Sequence, residues 1–401
     1  MTYVKLTTLI LGICSILFFS ICFWLVITFD KVSFEQLLWH IANLPSLAYL
    51  DIDYKLKTVK NISATTLIIL VFIFITIYID KIFLLTKNFI SKNKIYSIDR
   101  NTNLKLNYAL LCLSCVSFAI SIFYVQSNID FMSSIKSADY KFIESNYRVP
   151  DKSQISIEKP KNLVIILAES LENSFSSPNL KDSYIKELAE WRDKNQYNSN
   201  MREVSGTNWT IAALTAWSFG LPLKIPANLH KNYYISKRGF LPNSTSIFDI
   251  LYQHRYKLVV LMGTDKRFSG QDILFSGHGD FTIYDKNHFE KSGWVLKKYS
   301  GGFGFSDKFI LDRAFEEYQR LSQKAEPFIL LIQTMDTHIP DGFCPENDKK
   351  YHDIRDAVIH LDTNVNNFLE SIERERERER ERERRFDIHY HYRRSLFHGD
   401  A

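Results

Sequence analysis

The chain has 401 residues, 46% of them hydrophobic, and a formal net charge of +5; that is enough for a membrane anchor and one folded domain, because single cores stop growing near about 250–300 residues. The positive charge sits in scattered lysines and one C-terminal run, not on a basic face within a recognisable module, which argues against nucleic-acid binding. Cys14, Cys22, Cys112 and Cys115 fall inside apolar stretches, where they act as small hydrophobes and not as metal ligands, and Cys344 stands alone in the polar half, so no disulfide framework is expected there.

Thr7 to Phe29 carries no charge and is rich in Ile, Leu and Phe, which predicts a transmembrane helix; its length and the lack of a small-residue cleavage site argue against a cleaved signal peptide. Val32 to Leu50 mixes Leu37, Leu38, Trp39, Ile41 and Leu44 with Glu35 and His40, a pattern that suits an interfacial helix. Further spans are predicted from about Ala64 to Leu85, interrupted by Asp80 and Lys81, and from Leu106 to about Val125. The loop between these two holds Lys87, Lys92, Lys94, Arg100 and Lys105 against Asp99 alone. The positive-inside rule makes that loop cytoplasmic and everything after the last span extracytoplasmic. The expected organisation is a membrane anchor over 1–126, a linker over 127–160, a catalytic domain over 161–372 and a C-terminal tail over 373–401.

Beyond the linker, Asn162 to Ala168 (NLVIILA) is a continuous apolar run, as expected of a strand buried on both faces of a parallel sheet. Lys257 to Met262 (KLVVLM) repeats the pattern after a helical stretch from Ser246 to His254, and Phe328 to Ile332 (FILLI) repeats it after a helix from about Asp307 to Lys324. Alternating strands and helices predict an α/β domain with a mostly parallel sheet flanked by helices. Ligands bind outside the carboxyl ends of such strands. Glu169, Asp265 and the run Thr334 to His338 follow the three apolar runs, a set that suits a divalent metal and an anionic substrate. Taken singly, Glu169 also reads as a helix-capping acid, Asp265 as a turn former and His338 as a surface residue before Pro340. Ser205 to Leu214 reads as a loop feeding a helix at about Thr210, where unpaired backbone N–H groups and the helix dipole favour an alkoxide or a phosphate. That makes Thr210 a candidate nucleophile, although helix capping explains the residue type equally well.

Four blocks, NLVIILAESLENSF, SGTNWTIAALTAWSFGLPL, GTDKRFSGQDILFSGHGDF and FILLIQTMDTHIP, resemble in the same order the membrane-bound phosphoglycerol transferases that decorate periplasmic glucans, and more distantly the lipoteichoic acid synthases of the alkaline phosphatase/sulfatase superfamily. The resemblance runs from about Asn162 to Leu369. It implies Glu169 as a metal ligand, Thr210 as a metal-bound nucleophile carrying a covalent phosphoglyceryl intermediate, His338 on the transferred phosphate and Asp265 near the glycerol head group. In the lipoteichoic acid branch an arginine follows that acid by seven residues, where this chain has Asp272. The implied cofactor is one Mn2+ or Mg2+, the donor phosphatidylglycerol and the acceptor a glycan. The resemblance also implies a late Asp-His pair completing the metal site, and no such pair occurs in context here. Phosphoethanolamine transfer by the same superfamily is the alternative, disfavoured by the lone Cys344; a catalytically dead membrane-anchored glycan- or lipid-binding protein is the alternative of a different class.

From Glu373 to Arg384 the chain alternates Glu and Arg, then continues with Arg385 and FDIHYHYRRSLFHGDA, which shows no strand or helix pattern. A helix over the run sets like charges at i,i+4, so a solvated helix or a disordered tail is one expectation. GAG and AGA spell Glu and Arg, so the run is what a pure GA dinucleotide repeat would encode. One added unit moves translation to the second base of the Arg385 codon, where the codons of His389 to Tyr392 yield only Ile or Thr. Permitted codons give D-L-I-F-I-I-I-I-G-D-H, an apolar strand ending in Asp-His. The chain is therefore expected to be the shortened, inactive product of a phase-variable gene.

Overall fold

The computed structural model describes residues 3–29, 32–42, 52–90, 100–129, 147–176, 183–195, 207, 209–223, 235–236, 239–296, 304–338, 342–343 and 354–396, which fall into two units. The first contains helices α1 (Tyr3–Phe29), α2 (Phe34–Ala42), α3 (Ile52–Ile90) and α4 (Arg100–Ile129). Three of them contain apolar spans, Tyr3–Thr28, Lys55–Thr86 and Asn101–Ile129, of 26, 32 and 29 residues. Each exceeds the roughly 20 residues that cross a hydrocarbon core. These are the three predicted spans, the first extended at its N-terminal end and the second and third at both ends. The interfacial stretch is helical over Phe34–Ala42, and its remainder at 43–50 lies outside the described residues.

Helix α1 packs against both α3 and α4. Its polar groups find partners across these contacts: Ser15 Oγ lies 2.7 Å from Ser117 Oγ, and the Ser20 hydroxyl meets Thr65. Such pairing is what a segment without water requires. Asp80, which interrupts the second span, is held by Lys5 Nζ at 3.0 Å and by Asn103 Nδ2 at 3.4 Å. Leu70, Phe74, Leu113 and Phe123 remain exposed, as lipid-facing residues do.

The second unit has strands β1 (Leu163–Leu167), β2 (Ile235–Ser236), β3 (Gly239–Phe240), β4 (Lys257–Met262), β5 (Thr282–Tyr284) and β6 (Phe328–Gln333). Four of them form a parallel sheet in the order β1-β6-β4-β5, with Leu163 opposite Ile329, Lys257 opposite Phe328 and Val259 opposite Thr282. Strands β2 and β3 make a short antiparallel pair. The three apolar runs are β1, β4 and β6; β5 has no run of its own in the sequence because it is only 3 residues long. The helices are α5 (Lys186–Lys194), α6 (Thr210–Phe219), α7 (Ile247–Gln253), α8 (Gln271–Gly277), α9 (Lys286–Lys291), α10 (Asp307–Ser322) and α11 (Ile354–Leu396).

One face of the sheet, with Val259, Leu261, Leu330 and Ile332, is covered by Phe309, Ala314 and Leu321 of α10 and by Leu361, Val365, Phe368 and Ile372 of α11. Each of these side chains other than Ala314 contributes about 1.5–3 kcal/mol by leaving water. Helix α7 begins with a capping box, Ser246 Oγ accepting from Asp249 N while Asp249 accepts from Ser246 N. Over the Glu-Arg run the C-terminal sequence forms the helix that is one of its expectations, and beyond it departs from expectation. Helix α11 passes without a break through the Glu-Arg run to Leu396, across the stretch from Phe386 where no helix pattern is legible. Alternation sets unlike charges at i,i+3 as well as like charges at i,i+4, and the helix uses the former: Arg378 Nη1 pairs with Glu375 Oε2 at 3.2 Å.

Candidate active site

The parallel sheet brings four strand ends to one edge. Past β1, Glu169 N donates to Thr334 Oγ1 at 2.9 Å, and the Thr337 hydroxyl donates to Glu169 O. Thr334 N donates in turn to Leu167 O at 3.1 Å. Two threonines thus tie Glu169 to the loop that ends in His338, whose own N–H closes a turn onto Met335 O at 3.0 Å. Ser170 holds a left-handed φ of 50° and donates from Oγ to Glu169 Oε1 at 3.1 Å. A non-glycine residue there costs about 1–3 kcal/mol, so the surrounding ties hold the Glu169 turn in place.

Asp307 and Asp336 join this edge. Asp307 Oδ1 accepts from Met335 N at 2.6 Å and its Oδ2 from Asp336 N at 3.1 Å, while Asp336 Oδ2 accepts from Asp307 N at 2.8 Å. Burial pushes both carboxyls above the usual range; the charge of Glu169 adds to the rise at Asp307, and the charge of Asp307 adds to that at Asp336. The approach of α10 to the strand ends depends on two glycines. A Cβ at Gly263 would meet Phe305 O at 2.1 Å, and one at Gly304 would meet Gly263 O at 2.0 Å. In the sequence, Ser306-Asp307 signals only a helix start, and Ser306 Oγ does cap α10.

Past β4, the Asp265 carboxylate accepts from Arg267 N and Nε at 2.9 Å each, from Arg267 Nη2 at 2.5 Å and from Asn287 Nδ2 at 2.8 Å. Burial alone would raise its pKa, but these donors, Arg267 foremost, hold it below the usual carboxylate value. Asn287 also reaches Asp285 Oδ2 at 3.3 Å, so β4 and β5 share one polar network at their ends. Asp272, in the first turn of α8, is pushed up by burial. Neither Arg267 nor Asn287 is legible as a site residue: the arginine follows the acid by two positions, and the asparagine lies beyond the short strand β5.

Thr210 is the first residue of α6, as the loop-to-helix reading predicts; Trp209 in extended backbone precedes it. Buried Ile211, Ala212 and Leu214 fix the helix, which packs against the turn Phe268–Gly270 that follows Asp265. Ser205, Gly206, Asn208, Pro340 and Cys344 lie outside the described residues. Among the described residues no three His, Cys, Asp or Glu side chains form a cation-binding group. Glu169 and Thr210 would supply two donors where a divalent ion takes about four to eight ligands, so the described residues do not complete a site.

A parallel α/β sheet with acids, hydroxyls and an imidazole along its carboxyl edge defines the class of fold that binds anionic substrates there. The Sulfatase family model matches residues 161–379, more than half of the chain, and the chain belongs to the sulfatase family. It is similar to "Phosphoglycerol transferase I" of Xanthomonas campestris pv. campestris (strain B100), 30% identical over 238 residues, 59% of this chain and 33% of the relative. It is 33% identical over 208 residues to the protein of the same name from Escherichia coli O127:H6, covering 51% of this chain and 26% of the relative. The match thus spans about a third or less of these relatives' length. Among solved structures it is similar to the lipooligosaccharide phosphoethanolamine transferase A of Neisseria meningitidis, at 15% identity and a TM-score of 0.45 over 90% of this chain and 67% of the other.

Proposed function

We propose that the gene encodes a membrane-anchored phosphotransferase that moves phosphoglycerol from phosphatidylglycerol to a cell-surface or periplasmic glycan, with its domain over 161–372 outside the cytoplasmic membrane. The observation that carries this reading is the tie of Glu169 to the His338 loop through Thr334 and Thr337. Support comes from relatives named for this transfer and from three apolar helices suited to a lipid donor. Thr210 Oγ attacks the head-group phosphorus; an Oγ–P bond forms, the P–O bond to diacylglycerol breaks, and diacylglycerol leaves with the threonine proton. A glycan hydroxyl then attacks the same phosphorus, the Oγ–P bond breaks as the glycan O–P bond forms, and the hydroxyl proton returns to Thr210 Oγ. The amino end of α6 favours the alkoxide, and His338 contacts the phosphate. Asp265 holds Arg267 beside the head group, which makes it a positioning residue. Glu169 and Thr210 would hold the Mn2+ or Mg2+ that the resemblance implies, and its ligand set is incomplete among the described residues.

The Glu-Arg run supports reading this chain as the short, inactive product of a slipping GA tract. Thr210→Ala in the long-frame protein is expected to abolish transfer of labelled head group from phosphatidylglycerol vesicles; retained transfer removes Thr210 as nucleophile. Transfer from phosphatidylethanolamine vesicles alone would instead select the phosphoethanolamine reading.

A further inference from the structure

The block GTDKRFSGQDILFSGHGDF carries Asp265 near its start and His278 near its end. His278 is only 4% exposed, and both of its ring nitrogens meet acceptors: Nε2 lies 2.7 Å from Phe240 O and Nδ1 2.8 Å from Asp249 Oδ2. A carbonyl oxygen only accepts, so Nε2 carries a proton. Asp249 Oδ2 also accepts from Ser246 N at 2.7 Å and from Ser246 Oγ at 2.8 Å. Burial alone would raise the Asp249 carboxyl, but His278 first and Ser246 next hold it below its usual value. An ionised carboxylate has no proton to donate, so Nδ1 carries one too, and the ring is an imidazolium inside the fold.

The backbone around this ring is tightly built. Gly279, at a φ of 92°, has no room for a Cβ, which would meet Leu258 Cδ2 at 2.7 Å and Phe248 Cβ at 3.1 Å. His278 N closes the end of α8 on Leu274 O at 3.1 Å. The ring joins three further elements: β3 through Phe240 O, α7 through the acid of its capping box, and α6 through Phe219, whose ring stands perpendicular to the imidazole with centroids 4.7 Å apart. Phe219 is the last residue of α6 and Thr210 the first. Ten residues of helix make a rod about 15 Å long, so a tilt at Phe219 displaces Thr210. The segment from Asp265 to His278 meets this rod twice, at the turn Phe268–Gly270 and at Phe219. The geometry points to His278 as a positioning residue: the buried imidazolium pins Phe219 and with it the direction of α6, which keeps Thr210 in a fixed relation to the Asp265–Arg267 pair on the same segment. The part played by Thr210 rests on the transferase reading; the hold of His278 on α6 does not.

The test uses the full chain in detergent micelles and hydrogen–deuterium exchange of the segment 211–219, with β4 as the internal reference. His278→Ala is expected to speed exchange of 211–219 about tenfold while β4 keeps its protection. Imidazole added to this variant brings two N–H donors in its charged form and is expected to restore the wild-type rate; thiazole, a ring of similar size without an N–H, is not. Unchanged exchange of 211–219 in His278→Ala would overturn the inference, and so would rescue by thiazole as good as that by imidazole, because ring volume alone would then suffice. Should His278→Ala fail to fold, two measurements take its place. Phe219→Leu is expected to loosen 211–219 and leave α7 protected, and nitrogen NMR of the histidine-labelled wild type is expected to show both ring nitrogens of His278 protonated at neutral pH. Unchanged 211–219 in the first, or one bare ring nitrogen in the second, would overturn the inference. Retained transfer in Thr210→Ala would sink the nucleophile and leave the hold on α6 standing, whereas unchanged exchange in His278→Ala would do the reverse.

Discussion

Asp307 and Asp336 hold each other's backbone amides inside a region that resists their charge. Burial raises the Asp307 pKa to about 7, against about 3.9 for a free carboxyl, so the folded state keeps a proton that the unfolded chain gives up. The carboxyl's contribution to stability is therefore fullest below about pH 4 and is lost as pH rises toward 7. Urea unfolding of the detergent-solubilised protein should show a midpoint that falls across this window, and Asp307→Asn should flatten the fall; an unchanged slope would mean that the pair is already ionised. Gly263→Ala is expected to prevent folding of the second unit, because the new Cβ meets a backbone oxygen that cannot swing away; a soluble variant with native circular dichroism would contradict this. The positions of Glu169, Asp265 and His338 past their strands, and of Thr210 at the start of a helix, are legible because each follows an apolar run or opens a helix. Asp307 and Asn287 are not, because their partners lie past other strands and no local spacing announces the pairing; Arg267 is not, because a basic residue two positions after an acid is an ordinary pattern in polar loops.

At the scale of elements, α5 lacks a side-chain cap of its own at Ile185 and borrows the carboxylate of Asp362 from α11. Removing that carboxylate strands two N–H groups, so Asp362→Ala should cost about 1–2 kcal/mol in urea unfolding; a loss within error of zero would show that water replaces the cap. The long apolar runs announce β1, β4 and β6, since a strand buried by its neighbours needs nothing else. Strand β5 escapes because three residues carry no periodicity. A solvated helix is one expectation for the Glu-Arg run, and unlike charges at i,i+3 with the good intrinsic propensity of both residues favour it; its continuation from Phe386 to Leu396 escapes, because no apolar periodicity announces it.

For the whole molecule, the three spans and the lysine-rich loop between the second and third predict an orientation that can be measured. A reporter active only outside the cytoplasm should be active when fused after Arg148 and inactive when fused at Lys92; the reverse pattern would turn the anchor over and put the domain inside. The division into an apolar anchor and an α/β unit is legible from composition alone, because lipid and a doubly buried sheet select different lengths of apolar run.

The pairing of β1 with β6 also has a kinetic side. Leu163 lies opposite Ile329, so the first strand made waits for nearly the whole second unit before its neighbour exists. Contacts this distant in sequence close slowly, because the intervening chain must first give up its freedom. An emerging chain would carry β1 as an unpaired apolar segment throughout that interval, which makes its synthesis the stage most exposed to aggregation and to proteases.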